Sequence, residues 1–181
     1  VSVAMSRFIC ASLLLSTGLK EKEQYTFQIN CDGVIKGLSS DVNSEGVIRV
    51  RPKNPVAELI NKENHMNVSE GLGKGSLSVI KWIQDLKEPY RSTTELVYGT
   101  IANDFTYYLT KSEQIPSAIA VGEYLEKDGK ISHAGGILIQ AMPDATENEI
   151  GFIETTINLR PAISEMLIEG FNYKEIFDKV L

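Results

Sequence analysis

Residues 1–19, VSVAMSRFICASLLLSTGL, contain one charged side chain, Arg7. Val1, Ala4, Met5, Phe8, Ala11, Ser12 and Leu15 follow helical spacing, and Val3, Ile9, Cys10, Leu13 and Leu14 cover much of the opposite side. A helix that is apolar nearly all round has to be buried on several faces. Arg7 followed by Phe8–Leu15 also resembles a short signal-peptide core. No A-x-A pattern follows Leu15, however, and the run is shorter than the roughly 20 residues that span a bilayer. The expectation is a buried helix.

Beyond it the chain changes period. Tyr25, Phe27, Ile29 and Cys31 alternate with Thr26, Gln28 and Asn30, the period of two of a half-buried strand. Asp32-Gly33 turns into a strand over Val34–Val42, and a turn at Asn43–Gly46 leads to a strand at Val47–Arg51. Such short connections make an antiparallel meander. Residues 56–70 read as polar and irregular. Ser76–Trp82 and Arg91–Val97 are further strands, and Gly99 opens a helix at about 100–112, which Pro116 stops. Ser117–Leu125 and Ile131–Met142 form a hairpin through Asp128-Gly129. Gly135-Gly136 within it suggests a bulge or a close backbone approach.

From residue 144 the pattern is helical only. Thr146 with Glu149 forms a capping box, as do Asn172 and Glu175 less ideally. Ile150, Ile153 and Ile157 make one stripe. Pro161 starts a second helix, with Ile163, Met166 and Leu167 apolar, and Ile176, Phe177 and Val180 mark a third. Residues 146–181 hold seven acidic and three basic side chains, so they carry -4 of the chain's formal -6. The fold class is α+β: a β-rich body over 1–143 and a helical extension over 144–181. With 43% hydrophobic and 23% charged residues, the 181-residue chain is neither a disordered tail nor a rod. The acidic balance, with no basic run, speaks against nucleic-acid binding.

The motifs for catalysis fail one by one. In Gly71-Leu-Gly-Lys-Gly75-Ser76, Lys74 would need a glycine at Val68 and a hydroxyl residue at Gly75 to make a phosphate loop, and the stretch opens a strand. It reads as a tight glycine turn. His65 and His133 lack any zinc-ligand spacing. Ser112-Glu113-Gln114 has no histidine nearby in sequence, and no G-x-S-x-G occurs. Cys10 and Cys31, the only cysteines, show no metal-ligand spacing, and both read as packed thiols in a reducing compartment. The sequon Asn67-Val68-Ser69 is then inert. No catalytic, cofactor-binding or metal-ligating residue is assigned. The residues themselves point to a binding protein without a small-molecule cofactor.

Several segments together resemble one family. These are Asn54-Pro55-Val56, Gly71–Val79, Leu86–Tyr90, Gly99–Tyr108, Ser112–Ser117 and Ala134–Pro143. Their order and spacing are similar to those of the redox-regulated heat-shock chaperone of thirty-three kilodaltons, a bacterial-type holdase. The resemblance covers essentially the whole chain and is strongest over 71–143. Cys31 stands where the family usually has glycine, Val34 where it often has proline, and Thr100 and Asn103 where acidic residues are common.

The resemblance implies a three-layer β/α/β core around a buried helix, with 144–181 as a linker region. It implies an ATP-independent chaperone that holds unfolding proteins. It also implies a zinc redox switch of four cysteines, spaced C-x-C and C-x-x-C, in a C-terminal domain that is absent here. By the same comparison the chain begins inside the first long helix, without the preceding segment. No zinc or other cofactor is expected in this chain. The expected partners are unfolded clients and a second copy, in a homodimer that can form by exchange of elements, with no nucleic acid and no membrane. The expected compartment is the cytoplasm, or an organelle in a eukaryote. Two other classes remain open: a structural oligomerisation module, and a small-molecule enzyme with a pocket under the Gly135-Gly136 strand.

Overall fold

The computed structural model describes residues 1–59, 67–84, 86–159 and 162–180, with the side chains of 153, 154 and 156–159 excepted. The first helix, α1 (Ser2–Ser16), is buried as expected, with Val3, Ala4, Phe8, Ala11 and Leu15 all in the core. Three serines go in with them because each hydroxyl has a partner. Ser6 and Ser16 donate to the carbonyls of Val3 and Leu13 at 2.9 and 2.7 Å, and Ser12 shares a 2.9 Å hydrogen bond with Ser40 of a facing strand. A buried hydroxyl without a partner would be costly.

One side of α1 is covered by a five-stranded antiparallel sheet, β1 (Gln24–Cys31), β2 (Gly37–Asn43), β3 (Ile48–Pro52), β4 (Gly75–Trp82) and β5 (Tyr90–Glu95), in the order β3-β2-β1-β4-β5. Phe27 and Ile29 point inward, while Thr26 on the outer face donates to Asp41 across the β1–β2 ladder at 2.6 Å. The strand expected over Val34–Val42 starts only at Gly37. The Ile35 N–H is spent on the Gly71 carbonyl and that of Lys36 on Gly33, so 33–36 is a turn held from outside the sheet. The next strand lies one residue later than its expected Val47–Arg51. Within 56–70, Val68–Leu72 forms a short helix, α2, rather than irregular chain. The Asn67 carboxamide oxygen accepts the Glu70 N–H at its start, and 60–66 lies outside the described residues.

Helix α3 (Ile101–Tyr108) runs beside α1. It continues through Leu109–Glu113 as a wider π turn, across which the Tyr108 hydroxyl donates to the Glu113 carboxylate. Gln114, in the left-handed region at φ 57°, ends it. On the other side of both helices lies an antiparallel hairpin, β6 (Ser117–Leu125) with β7 (Ile131–Gln140). Its one register shift falls at Tyr124/Leu125. Gly136 marks a close approach instead: a Cβ there would lie 2.6 Å from the Ala120 carbonyl oxygen and 3.1 Å from Leu14 Cδ1. The result is the expected β/α/β stack. Rings from the helical layer and the large sheet meet at its centre, Phe105 lying 5.8 Å edge-on from Phe8 and 5.3 Å from Phe27.

Three helices follow, α4 (Glu147–Leu159), α5 (Ile163–Ile168) and α6 (Tyr173–Val180). Both capping boxes form. The Thr146 N–H meets Glu149 Oε2 at 2.7 Å, and the Asn172 N–H meets Glu175 Oε2 at 2.8 Å. The helix expected to begin at Pro161 begins at Ile163. Pro161 and the side chains of Ile153 and Ile157 lie outside the described residues.

The one charge on α1 ties the central layer to the hairpin. Arg7 forks onto Glu123 of β6, with Nη2 to Oε1 at 2.7 Å and Nε to Oε2 at 3.0 Å. Glu123 is only 8% exposed, so removing Arg7 leaves a carboxylate without its partner. Arg7→Met is expected to cost about 2–3 kcal/mol in urea unfolding, below the ~3–5 of a fully buried pair because the arginine side keeps some water. The double variant Arg7→Met/Glu123→Leu should recover most of that loss. An equal loss in the single and double variants would show that the pair is not the cause.

Candidate functional site

A two-stranded sheet has two faces, and here both are apolar. Along β6 and β7 the side chains alternate. Ile119, Val121 and Leu138 pack into the core around α1, while Ala120, Ile137 and Ile139 face away from it. A second apolar cluster covers that outer face: Ile163 and Met166 of α5, and Ile176 and Val180 of α6, none more than 8% exposed. Gly122 sets how close α5 can come. A Cβ there would collide with the Ser164 backbone nitrogen and lie 3.0 Å from Ile163 Cβ.

The covering helices are short. α5 has six residues and α6 has eight. Isolated helices below about 12–15 residues are marginal in water, so these hold their form by packing on the hairpin. Beyond the covered cluster they expose Ile168, Tyr173 and Phe177, and α4 exposes Phe152. What the arrangement offers is an apolar strand face under a cover of short helices.

The residues singled out in sequence do not converge. The glycine loop is filled by protein. A Cβ on Gly33 would strike the Gly71 and Leu72 carbonyls, and the Gly33 N–H donates to the Leu72 carbonyl at 2.9 Å. The Lys74 N–H donates to Asp32 Oδ1 at 2.7 Å. The loop amides that a phosphate would need are thus spent, those of Gly71 and Gly73 on the Asn67 and Ser69 carbonyls and that of Lys74 on Asp32, and the glycines permit two backbones to cross. His133 is exposed and stacks on Tyr124 at 6.4 Å, and His65 lies outside the described residues. Glu113 serves Tyr108. At the Gly135-Gly136 strand Leu14 packs against Gly136 within, α5 packs on Gly122 of the neighbouring strand, and the space over Gly135 itself is open.

Burial pushes the Cys10 thiol up to about 11, with Glu123 adding to the effect, and raises Cys31 as well. The two sit on α1 and β1. Among the described residues no three His, Cys, Asp or Glu side chains come together to hold a metal, so a four-thiolate zinc site does not fit them. No helix among the described residues is long and apolar enough to cross a membrane.

Sequence reasoning missed two supports. Asp104, fully buried at the start of α3, accepts the Val97 and Tyr98 N–H groups at 2.8 and 2.9 Å and fixes the turn into that helix. Burial raises its carboxyl against the pull of those amides. Gly122 carries no signal in the sequence, because its reason lies about 40 residues away in α5.

Comparison with known proteins agrees over the full length. The profile of the family described as Hsp33 protein matches residues 1–181. The 33 kDa chaperonins of Syntrophotalea carbinolica and Thermodesulfovibrio yellowstonii are each 36% identical over 180 residues, covering 99% of this chain and 62% of those proteins. That of Latilactobacillus sakei is 37% identical over 183 residues. The crystal structure of the 33 kDa chaperonin from Thermotoga maritima superposes with a TM-score of 0.87 at 34% identity, covering 98% of this chain and 61% of that one. The chain thus spans about three fifths of the length of these relatives.

If Gly122 sets the seat of α5, Gly122→Val should lift α5 and α6 while leaving the inner core intact. Amide exchange over 163–180 is expected to accelerate, dye binding to apolar surface to rise, and protection in β1 and β4 to hold. Unchanged exchange over 163–180 would contradict that role.

Proposed function

Because the chain belongs to the Hsp33 family, we propose that it works as the core of an ATP-independent holdase. It captures unfolding proteins on the outer face of β6–β7 when α5 and α6 come away. The observation that carries this reading is the doubly apolar hairpin, whose outer Ala120, Ile137 and Ile139 are covered, among the described side chains, by two short helices, with α4 also lying against β6. Extended, unfolded chains present alternating apolar side chains, and a strand face with the same period suits them. The acidic excess of 146–181 keeps a loaded complex in solution.

The protein is not an enzyme in this reading. It needs no nucleotide, in keeping with the protein-filled glycine loop. It acts as a homodimer, with the segment after Pro143 able to exchange between copies because its apolar stripes need a partner surface. It belongs in the cytoplasm. Residues 1–143 form the capture domain and 144–181 the linker. The zinc switch of the family is no part of residues 1–181, and the two native thiols do not replace it, since half-buried thiols of raised pKa react slowly with peroxide.

The test is aggregation of a chemically unfolded client. Roughly equimolar protein should slow it without ATP, and Gly122→Val should protect several-fold better than the parent. Protection that requires ATP, or that falls in Gly122→Val, would sink the reading. Activity should be equal in reductant and after peroxide, and elemental analysis should find no stoichiometric zinc. A reversible gain on oxidation would assign a switch to Cys10 and Cys31.

A further inference from the structure

We propose that the outer face of β2 and β3 is a docking site for an extended acidic polypeptide segment. The inference stands apart from the holdase reading, since it needs neither release of α5 nor a client.

Arg49, Arg51 and Lys53 stand at alternate positions from β3 onward, all exposed, while Ile48 and Val50 between them pack into the core. None of the three makes an ion pair among the described residues. Their formal charge sits on a chain whose net charge is -6, so the cations are segregated. The acid set opposite in the ladder, Asp41 facing Arg49, is hydrogen-bonded to the Thr26 hydroxyl. The nearby Asp32 is engaged with the Lys74 N–H.

Beside Arg51 and Lys53 the sheet has a shallow hollow of about 200 Å³, lined also by Gln28, Asn30 and Ser39. The Gln28 and Asn30 carboxamides make no hydrogen bond among the described residues. The Ser39 hydroxyl makes only a long one, 3.4 Å to the Arg51 carbonyl. Cationic and amide donors therefore converge on one place with little to donate to. The hollow falls short of the ~300–1,000 Å³ typical of a small-molecule pocket. It has room for side-chain carboxylates and a length of backbone.

Spacing identifies the ligand. Alternate residues of a strand lie about 6.6–6.8 Å apart, and so do alternate residues of any extended peptide laid along it. Carboxylates at positions i, i+2 and i+4 meet the three cations in step, and the amides of Gln28 and Asn30 reach the peptide groups between them. A single-stranded nucleic acid would want aromatic rings for its bases to stack on. The residues lining this hollow supply none.

The experiment uses the intact chain and a fluorescent peptide of about twelve residues with glutamate at every second position, read by anisotropy at low salt. Binding is expected, and Arg51→Gln/Lys53→Gln should weaken it at least about tenfold. Lys127→Gln/Lys174→Gln, which removes the same charge elsewhere, should leave it within about twofold, and raising salt to about 0.3 M should weaken it. Circular dichroism checks that each variant is folded. Undetectable binding, or equal binding by both double variants, would overturn the proposal. So would an oligouridylate of equal charge that binds more tightly and is lost in Arg51→Gln/Lys53→Gln, since the face would then be a nucleic-acid site.

Discussion

Everything in this molecule follows from the need to cover α1. Its apolar residues face nearly every direction, and the five-stranded sheet buries only one side. The hairpin β6–β7 closes the other, held to the helix by Ile119, Val121 and Leu138 and by the Arg7–Glu123 fork. Two strands make a thin lid, however. Side chains alternate across a strand, so a hairpin that presents Ile119 and Leu138 inward presents Ala120, Ile137 and Ile139 outward. Burying one helix thus creates a second apolar surface, and that surface has to be answered by α5 and α6. The chaperone reading uses this second surface, whose cover is much less extensive than the core beneath it.

The two faces of the molecule differ in kind. The hairpin side is apolar and capped by helices. The outer side of the large sheet is polar, with Thr26 bonded to Asp41 and Ser78 to Thr93 across strands, and with a row of cations at one edge. Apolar segments suit the first and acidic segments the second.

Much of this was legible in the residues. The period-two run from Tyr25 to Cys31, the Asp128-Gly129 turn and the capping boxes at Thr146 and Asn172 are local signals, and the chain obeys them. What stayed hidden depends on residues distant in sequence. The start of β2 was misplaced because the 33–36 turn is held by backbone groups of residues 71 and 72. The glycine stretch 71–75 looked like a ligand loop reduced to a turn, whereas its glycines exist to let the 31–35 backbone pass. Gly122 carries no local signal at all. The outer face of β6–β7 could be read only once α5 was seen to lie on it. The family resemblance anticipated the layers but not which strand face the C-terminal helices cover.

The most direct measurement tethers the cover. Ala120→Cys on β6 is paired with Ile163→Cys or Met166→Cys on α5, one at a time, so that a disulfide can hold α5 to the hairpin. The native thiols, half-buried and of raised pKa, should stay out of the reaction. Client aggregation is then followed with the tether closed and after its reduction. Capture through the β6–β7 face requires protection to fall several-fold when the tether is closed and to return in reductant. Equal protection in both states would contradict it and place client binding elsewhere on the molecule.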